Sequence, residues 1–216
     1  MPSFLNTIKS LFAHKKKNTA KGQPNTEPEM KYLIAGLGNI GSEYTNTRHN
    51  IGFKVAEALV SDLKGTFKVE RLASVSTVRF KSRTLVVIKP TTYMNLSGRS
   101  VKYWLDKEKI PLENLLVVLD DIALPFGTLR LRAKGSDAGH NGLSNIIQTL
   151  GTNQFARLRF GIGNNFSKGR QVDYVLGEWT KEEEKALPER IDLAVEVIKS
   201  FTTAGLARTM NAYNNK

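Results

Sequence analysis

The chain has 216 residues and no cysteine, which excludes disulfides, thiolate nucleophiles and sulfur-ligated zinc. Histidine is nearly as scarce, with His14, His49 and His140 as the whole supply of imidazole bases or ligands. No apolar run approaches the ~20 residues needed to cross a bilayer; the densest is Leu115-Leu116-Val117-Val118-Leu119. No Gly-x-Ser-x-Gly stretch offers a nucleophile elbow, so a water nucleophile is preferred to a covalent serine. Acids are also outnumbered, 20 against 32 Lys and Arg, for a net charge of +12. That excess points to a polyanionic partner, with nucleic acid ahead of a membrane surface.

Composition otherwise fits an ordinary globular domain, with 40% hydrophobic and 24% charged residues. Residues 1–29 stand apart as a basic, flexible extension. They hold five lysines and two glutamates, so +3 of the charge sits there and +9 on the remainder. Phe4, Leu5, Ile8, Leu11 and Phe12 have the spacing of a short amphipathic helix. Such a segment suits a tail, a surface-binding helix or a targeting presequence, although presequences favour arginine over lysine. Met30 stands where the compact domain, 30–216, is expected to begin.

From Met30 the pattern is α/β. Strands are expected over 31–37, 75–80, 84–89, 115–119, 128–132 and 157–162, and helices over 51–63, 97–107, 142–150 and 181–203. Ser97 is expected to cap its helix. Strands interleaved with helices predict a single domain with a central mixed, largely parallel sheet, flanked by helices on both faces.

Gly36-Leu37-Gly38-Asn39-Ile40-Gly41 spells G-x-G-x-x-G after a strand. A dinucleotide site needs the helix to follow at once, yet the next residues are polar and unperiodic until Ile51. No acid ends a strand about 20 residues later, so a nucleotide-dependent oxidoreductase is the weakest of the functional readings. His49 in that loop and Asp120 after the 115–119 strand both follow strand ends and can meet at one sheet edge. An imidazole oriented by a carboxylate suits general-base work near neutrality. A loop histidine taken alone is more often a hydrogen-bonding surface residue, and Asp121 beside Asp120 leaves the choice of carboxylate open. Asn39, Asn95 and Asn141 lie in tight loops, and uncharged amides suit a peptide-like acyl group. Asparagine also tolerates turns and caps helices, which is the plainer explanation for any one of them. Period-2 spacing places Arg130 with Arg132, and Arg157 with Arg159, on shared faces, where two pairs can hold phosphate or form a solvated surface.

Taken together, the segments resemble bacterial-type peptidyl-tRNA hydrolase. The likeness runs from Met30 to about Asn211 through Gly36-Leu37-Gly38-Asn39, Tyr44 with Thr47-Arg48-His49-Asn50, and Thr91-Thr92-Tyr93-Met94-Asn95-Leu96-Ser97-Gly98. It continues through Asp120 with Leu124-Pro125-Phe126-Gly127, then Gly139-His140-Asn141-Gly142-Leu143, Arg157-Leu158-Arg159-Phe160-Gly161-Ile162-Gly163 and Val175-Leu176-Gly177. The resemblance implies a cytoplasmic, monomeric esterase that frees tRNA and peptide from prematurely released peptidyl-tRNA, with no metal, cofactor or membrane. It implies that His49 activates water, Asp120 orients it and Asn39 engages the peptide. Asn95 and Asn141 would position substrate and water, Tyr44 and Tyr93 would line the channel for the tRNA 3′ end and peptide, and Arg132 and Arg159 would clamp the 5′ phosphate. Two positions depart from the family pattern: Ile40 replaces a common proline, and Ala123 replaces a common acid. A catalytically silent RNA-binding relative is the alternative.

Overall fold

In the computed structural model, which describes residues 30–214, three parallel strands form the middle of a seven-stranded sheet. They are β1 (Met30–Gly36), β4 (Arg83–Pro90) and β5 (Leu115–Asp121), with β1 between the other two. β7 (Ala156–Gly161) adds parallel to β5, and β6 (Leu129–Arg132) closes that edge antiparallel. On the other side β3 (Ala73–Phe80) and β2 (Lys68–Glu70) follow antiparallel, so the order is β2-β3-β4-β1-β5-β7-β6. The extension 1–29, with its expected amphipathic helix, lies outside the described residues.

Every residue of β5 is buried, as a continuous apolar run demands of a strand covered on both faces. α1 (Ile51–Asp62), α5 (Lys181–Ala204) and α6 (Leu206–Tyr213) cover one face, where Ile34, Leu59, Val118 and Ile198 pack together. α2 (Ser97–Glu108) and α3 (Asn141–Leu150) cover the other, where Leu33, Val86 and Val117 pack in one cluster with Trp104 of α2. Each fully buried Leu, Ile or Val contributes about 1.5–3 kcal/mol. α5 starts at a capping box between Thr180 and Glu183, with three acids in its first turn that complement the helix dipole.

Ser97 does not cap α2. A single 3-10 turn, Met94–Leu96, runs straight into the helix, so Ser97 is its first residue and its hydroxyl donates back to Met94 O (2.8 Å). The chain leaves β1 toward β4 on one side, then crosses from β4 to β5 on the other. The carboxyl ends of these strands therefore flank a crevice of the kind in which open α/β sheets bind ligands.

Candidate active site

The loop after β1 is built around close backbone approaches. A Cβ on Gly36 would collide with the Gly52 carbonyl, and one on Gly38 would strike the Phe53 ring. The glycine string thus lets α1 crowd against the end of β1, and no cradle opens there for a pyrophosphate. Two 3-10 turns, Ser42–Tyr44 and Arg48–Asn50, delay α1 until Ile51. The buried Asn50 side chain then fixes Asn39 from both sides, accepting from its N–H (2.7 Å) and donating to its carbonyl (2.9 Å).

His49 and Asp120 meet as the strand-end argument expected. His49 Nδ1 lies 2.8 Å from Asp120 Oδ1. His140 Nε2 lies 3.0 Å from the same oxygen, and its Nδ1 accepts from Leu143 N–H (3.2 Å). That last bond places the His140 proton on Nε2, so His140 donates to Asp120. Asp120 therefore accepts from two rings whose centroids are 4.9 Å apart. Burial opposes its charge, but the facing imidazoles outweigh burial and hold its pKa well below the usual carboxylate range. For His49 burial again works against the charged form, and the charge and hydrogen bond of Asp120 overcome it, raising the pKa above 6.5. With Nδ1–H directed at Asp120, Nε2 is the His49 atom free to take a proton. The donor atoms of His49, Asp120 and His140 lie within 4.8 Å of one another, close enough to hold a cation. Ligation through His140 Nε2 would move its proton to Nδ1 and break the bond from Leu143.

The trio opens on a cleft of about 530 Å³. Asn39, Tyr44, Tyr93, Asn95, Asn141 and Arg159 line it beside His49 and Asp120, so eight of the nine side chains given a role by the resemblance converge. Gly142 packs so closely on Met94 that a Cβ would meet its sulfur, which brings Asn95 and Asn141 to one wall. The side-chain amides of Asn39, Asn95 and Asn141 have no protein hydrogen-bond partner among the described residues. Ile40, Tyr93 and Val172 are 41%, 71% and 65% exposed and give the cleft an apolar rim.

The arginines divide. Arg130 pairs across the ladder with Arg159, and Arg132 with Arg157, so all four share one face. Arg157 is fully buried and donates to the carbonyls of Gly135 (2.6 Å) and Asn153 (2.7 Å). Burial first, and the neighbouring Arg159 charge second, push its pKa down to about 10. It is a structural strut, so neither the phosphate-holding nor the solvated-surface reading of these pairs applies to Arg157. Arg159 is ion-paired with Asp121 (3.0 Å) and donates to Ser136 O (2.6 Å) while still lining the cleft. Arg132 is exposed and stands outside the cleft lining.

Three contributors escaped the reading of the sequence. His140 is counted only among the three possible imidazole bases or ligands, with no link to Asp120, and Asn50 is adjacent to the base but unassigned. α4 (Gln171–Val175), which supplies Gln171, Val172 and Val175 to the cleft, is too short to show periodicity. Ala123, where an acid is common, donates its N–H to Asp121 Oδ1 (2.8 Å), and Asp120 keeps both imidazole partners.

The family model described as peptidyl-tRNA hydrolase matches residues 33–216. Proteins of that name from Parabacteroides distasonis and Phocaeicola vulgatus are 60% and 59% identical over 187 residues, 87% of this chain and 100% of each relative. The crystal structure of peptidyl-tRNA hydrolase from Acinetobacter baumannii superposes with a TM-score of 0.80 at 34% identity, covering 85% of this chain and 94% of that one.

Proposed function

The chain belongs to the peptidyl-tRNA hydrolase family, and from that membership we propose how its cleft carries out the reaction. The protein is a hydrolase that cleaves the ester linking a peptide to tRNA, releasing both. His49 Nε2 takes a proton from water, whose oxygen attacks the ester carbonyl carbon. The negative charge that develops on the carbonyl oxygen is met by neutral amide donors from the Asn39, Asn95 and Asn141 group. Collapse of the tetrahedral intermediate breaks the bond to the ribose oxygen, which takes the proton back from His49. Asp120 holds the imidazole tautomer and favours the imidazolium that forms in between.

The observation that carries this assignment is the 2.8 Å contact between His49 Nδ1 and Asp120 Oδ1 at the floor of the cleft. Tyr44 and Tyr93 offer ring faces to the 3′ end and the peptide, and the apolar rim of Ile40 and Val172 suits peptide side chains. The exposed Arg132, with Arg159 at the cleft, supplies positive charge for the 5′ phosphate region. No helix among the described residues is long and apolar enough to cross a membrane.

Peptide release from N-blocked aminoacyl-tRNA is the decisive measurement. His49→Ala is expected to lower kcat by about 10²–10⁴-fold while tRNA binding persists. Full turnover by that variant would overturn the mechanism, and binding without hydrolysis by the parent protein would identify a silent RNA-binding relative.

A further inference from the structure

The two residues flanking the base face away from the cleft. Asn50 grips Asn39 on one side, while Arg48 on the other is only 6% exposed. The Arg48 N–H donates to Gly177 O (3.1 Å), its Nη1 to Glu178 O (2.6 Å) and its Nη2 to Glu183 Oε2 (2.7 Å). Its guanidinium lies 4.4 Å from the centroid of the Tyr174 ring. Glu183 Oε2 also accepts from Thr180 N–H (2.8 Å) within the capping box of α5. One side chain thus ties the turn bearing His49 to α4, which walls the cleft, and to the start of α5.

A pair this buried is a weak source of stability, because apolar replacements of similar size are often neutral or stabilising. The Arg48 Nε is itself buried without a partner among the described residues, a further cost that packing alone does not explain. Direction is what an apolar side chain cannot supply: a planar fork of donors fixes the angle at which the turn is held. We propose that Arg48 is a positioning residue for hydrolysis, holding the turn through Glu178 and Glu183 so that His49 faces both Asp120 and the cleft. This rests on His49 being the base.

The test removes both charges together. In Arg48→Met/Glu183→Gln the amide oxygen of the new side chain still accepts from Thr180 N–H, so the helix cap survives. On N-blocked aminoacyl-tRNA, kcat is expected to fall by about 10–10²-fold, the penalty of a small misplacement of a reacting group. KM should move by less than about threefold, since neither side chain touches the substrate. Arg48→Lys keeps the charge and loses the fork, so it should restore part of kcat. A folded double variant with kcat within about threefold of the parent would overturn the proposal, as would a rise in KM with kcat unchanged. Should the double variant fail to fold, Arg48→Lys decides: a parental kcat overturns the proposal and a roughly tenfold loss sustains it. An inactive His49→Ala beside a fully active Arg48 variant would sink only the positioning role, whereas an active His49→Ala would sink the base assignment itself.

Discussion

Asp120 and Asp121 are consecutive on β5, and the two sides of the molecule they serve show how one strand end can do separate work. Asp120 accepts from His49 and His140 and is buried beneath the cleft. Asp121 pairs with Arg159 and accepts from Ala123 N–H. Successive side chains on a strand point to opposite faces, so adjacent carboxylates reach an imidazole cluster and an arginine face. Both are nearly water-free, but their partners differ in kind. An imidazole exchanges its proton near neutrality, whereas a guanidinium holds its proton throughout. The Asp120 side is suited to moving a proton, and the Asp121 side to holding a fixed charge in place.

The largest break in that contrast comes from Asp120→Asn, expected to lower kcat on the order of 10²-fold. Its pH profile sharpens the test. In the parent, kcat/KM should rise with pH as His49 loses its proton, with a midpoint above 6.5 because Asp120 raises the His49 pKa against burial. Without the carboxylate charge, burial still acts and His140 still faces the same position, so the midpoint should shift below the parental value. A midpoint that stays put while kcat falls would mean that another group governs the acid limb.

That carboxylate pair also marks where the sequence was readable and where it was not. β5 is legible because a run of five branched apolar residues can only be satisfied by burial on both faces. His49 and Asp120 could be brought together from the sequence because one lies in the loop after β1 and the other at the carboxyl end of β5, and parallel strands share that edge. Arg157 misled because alternation gives the face of a residue and says nothing of depth. The carbonyl of Gly135 from the loop above it, with those of Asn153 and Phe155, satisfies the guanidinium. His140 was invisible as a partner because it caps α3 and follows no strand end, and its bond to Asp120 depends on the tautomer set by Leu143. Asp120 could not be told from Asp121 until the strand's faces were assigned.

A smaller effect is expected on the arginine side, from residues that neutralise phosphate without touching the reacting atoms. Arg130 and Arg132 alternate on β6 beside the buried Arg157 and the Asp121-paired Arg159, so they add to the charge that Arg159 brings at the cleft. Arg130→Ala/Arg132→Ala should weaken tRNA binding by roughly tenfold at low salt. The slope of log K against log salt should flatten by about one for each phosphate no longer neutralised. Hydrolysis of a minimal N-blocked ester lacking the tRNA body should be nearly unchanged. Equal losses on both substrates would show that this face supports the fold and not RNA binding.

The smallest expected change in activity comes from Asp121→Asn, which sets the sharpest contrast with its neighbour. The amide retains a hydrogen-bond acceptor for Ala123 N–H but removes the charge that holds Arg159 within 3.0 Å. Leaving a largely buried guanidinium short of its counter-ion should cost about 1–3 kcal/mol, less than full loss of a buried pair because Arg159 keeps its bond to Ser136 O. At about 2–4 °C per kcal/mol for a chain of this size, thermal denaturation should report a Tm lower by roughly 2–12 °C. Well below that Tm, kcat on the minimal ester should stay within about threefold of the parent, since His49, Asp120 and His140 remain bonded to one another as before. The two adjacent substitutions are thus expected to part, with Asp120→Asn acting mainly on turnover and Asp121→Asn mainly on stability. A loss of kcat at Asp121 matching that at Asp120 would mean that the strand end moves as one unit and that the division between the two faces does not hold.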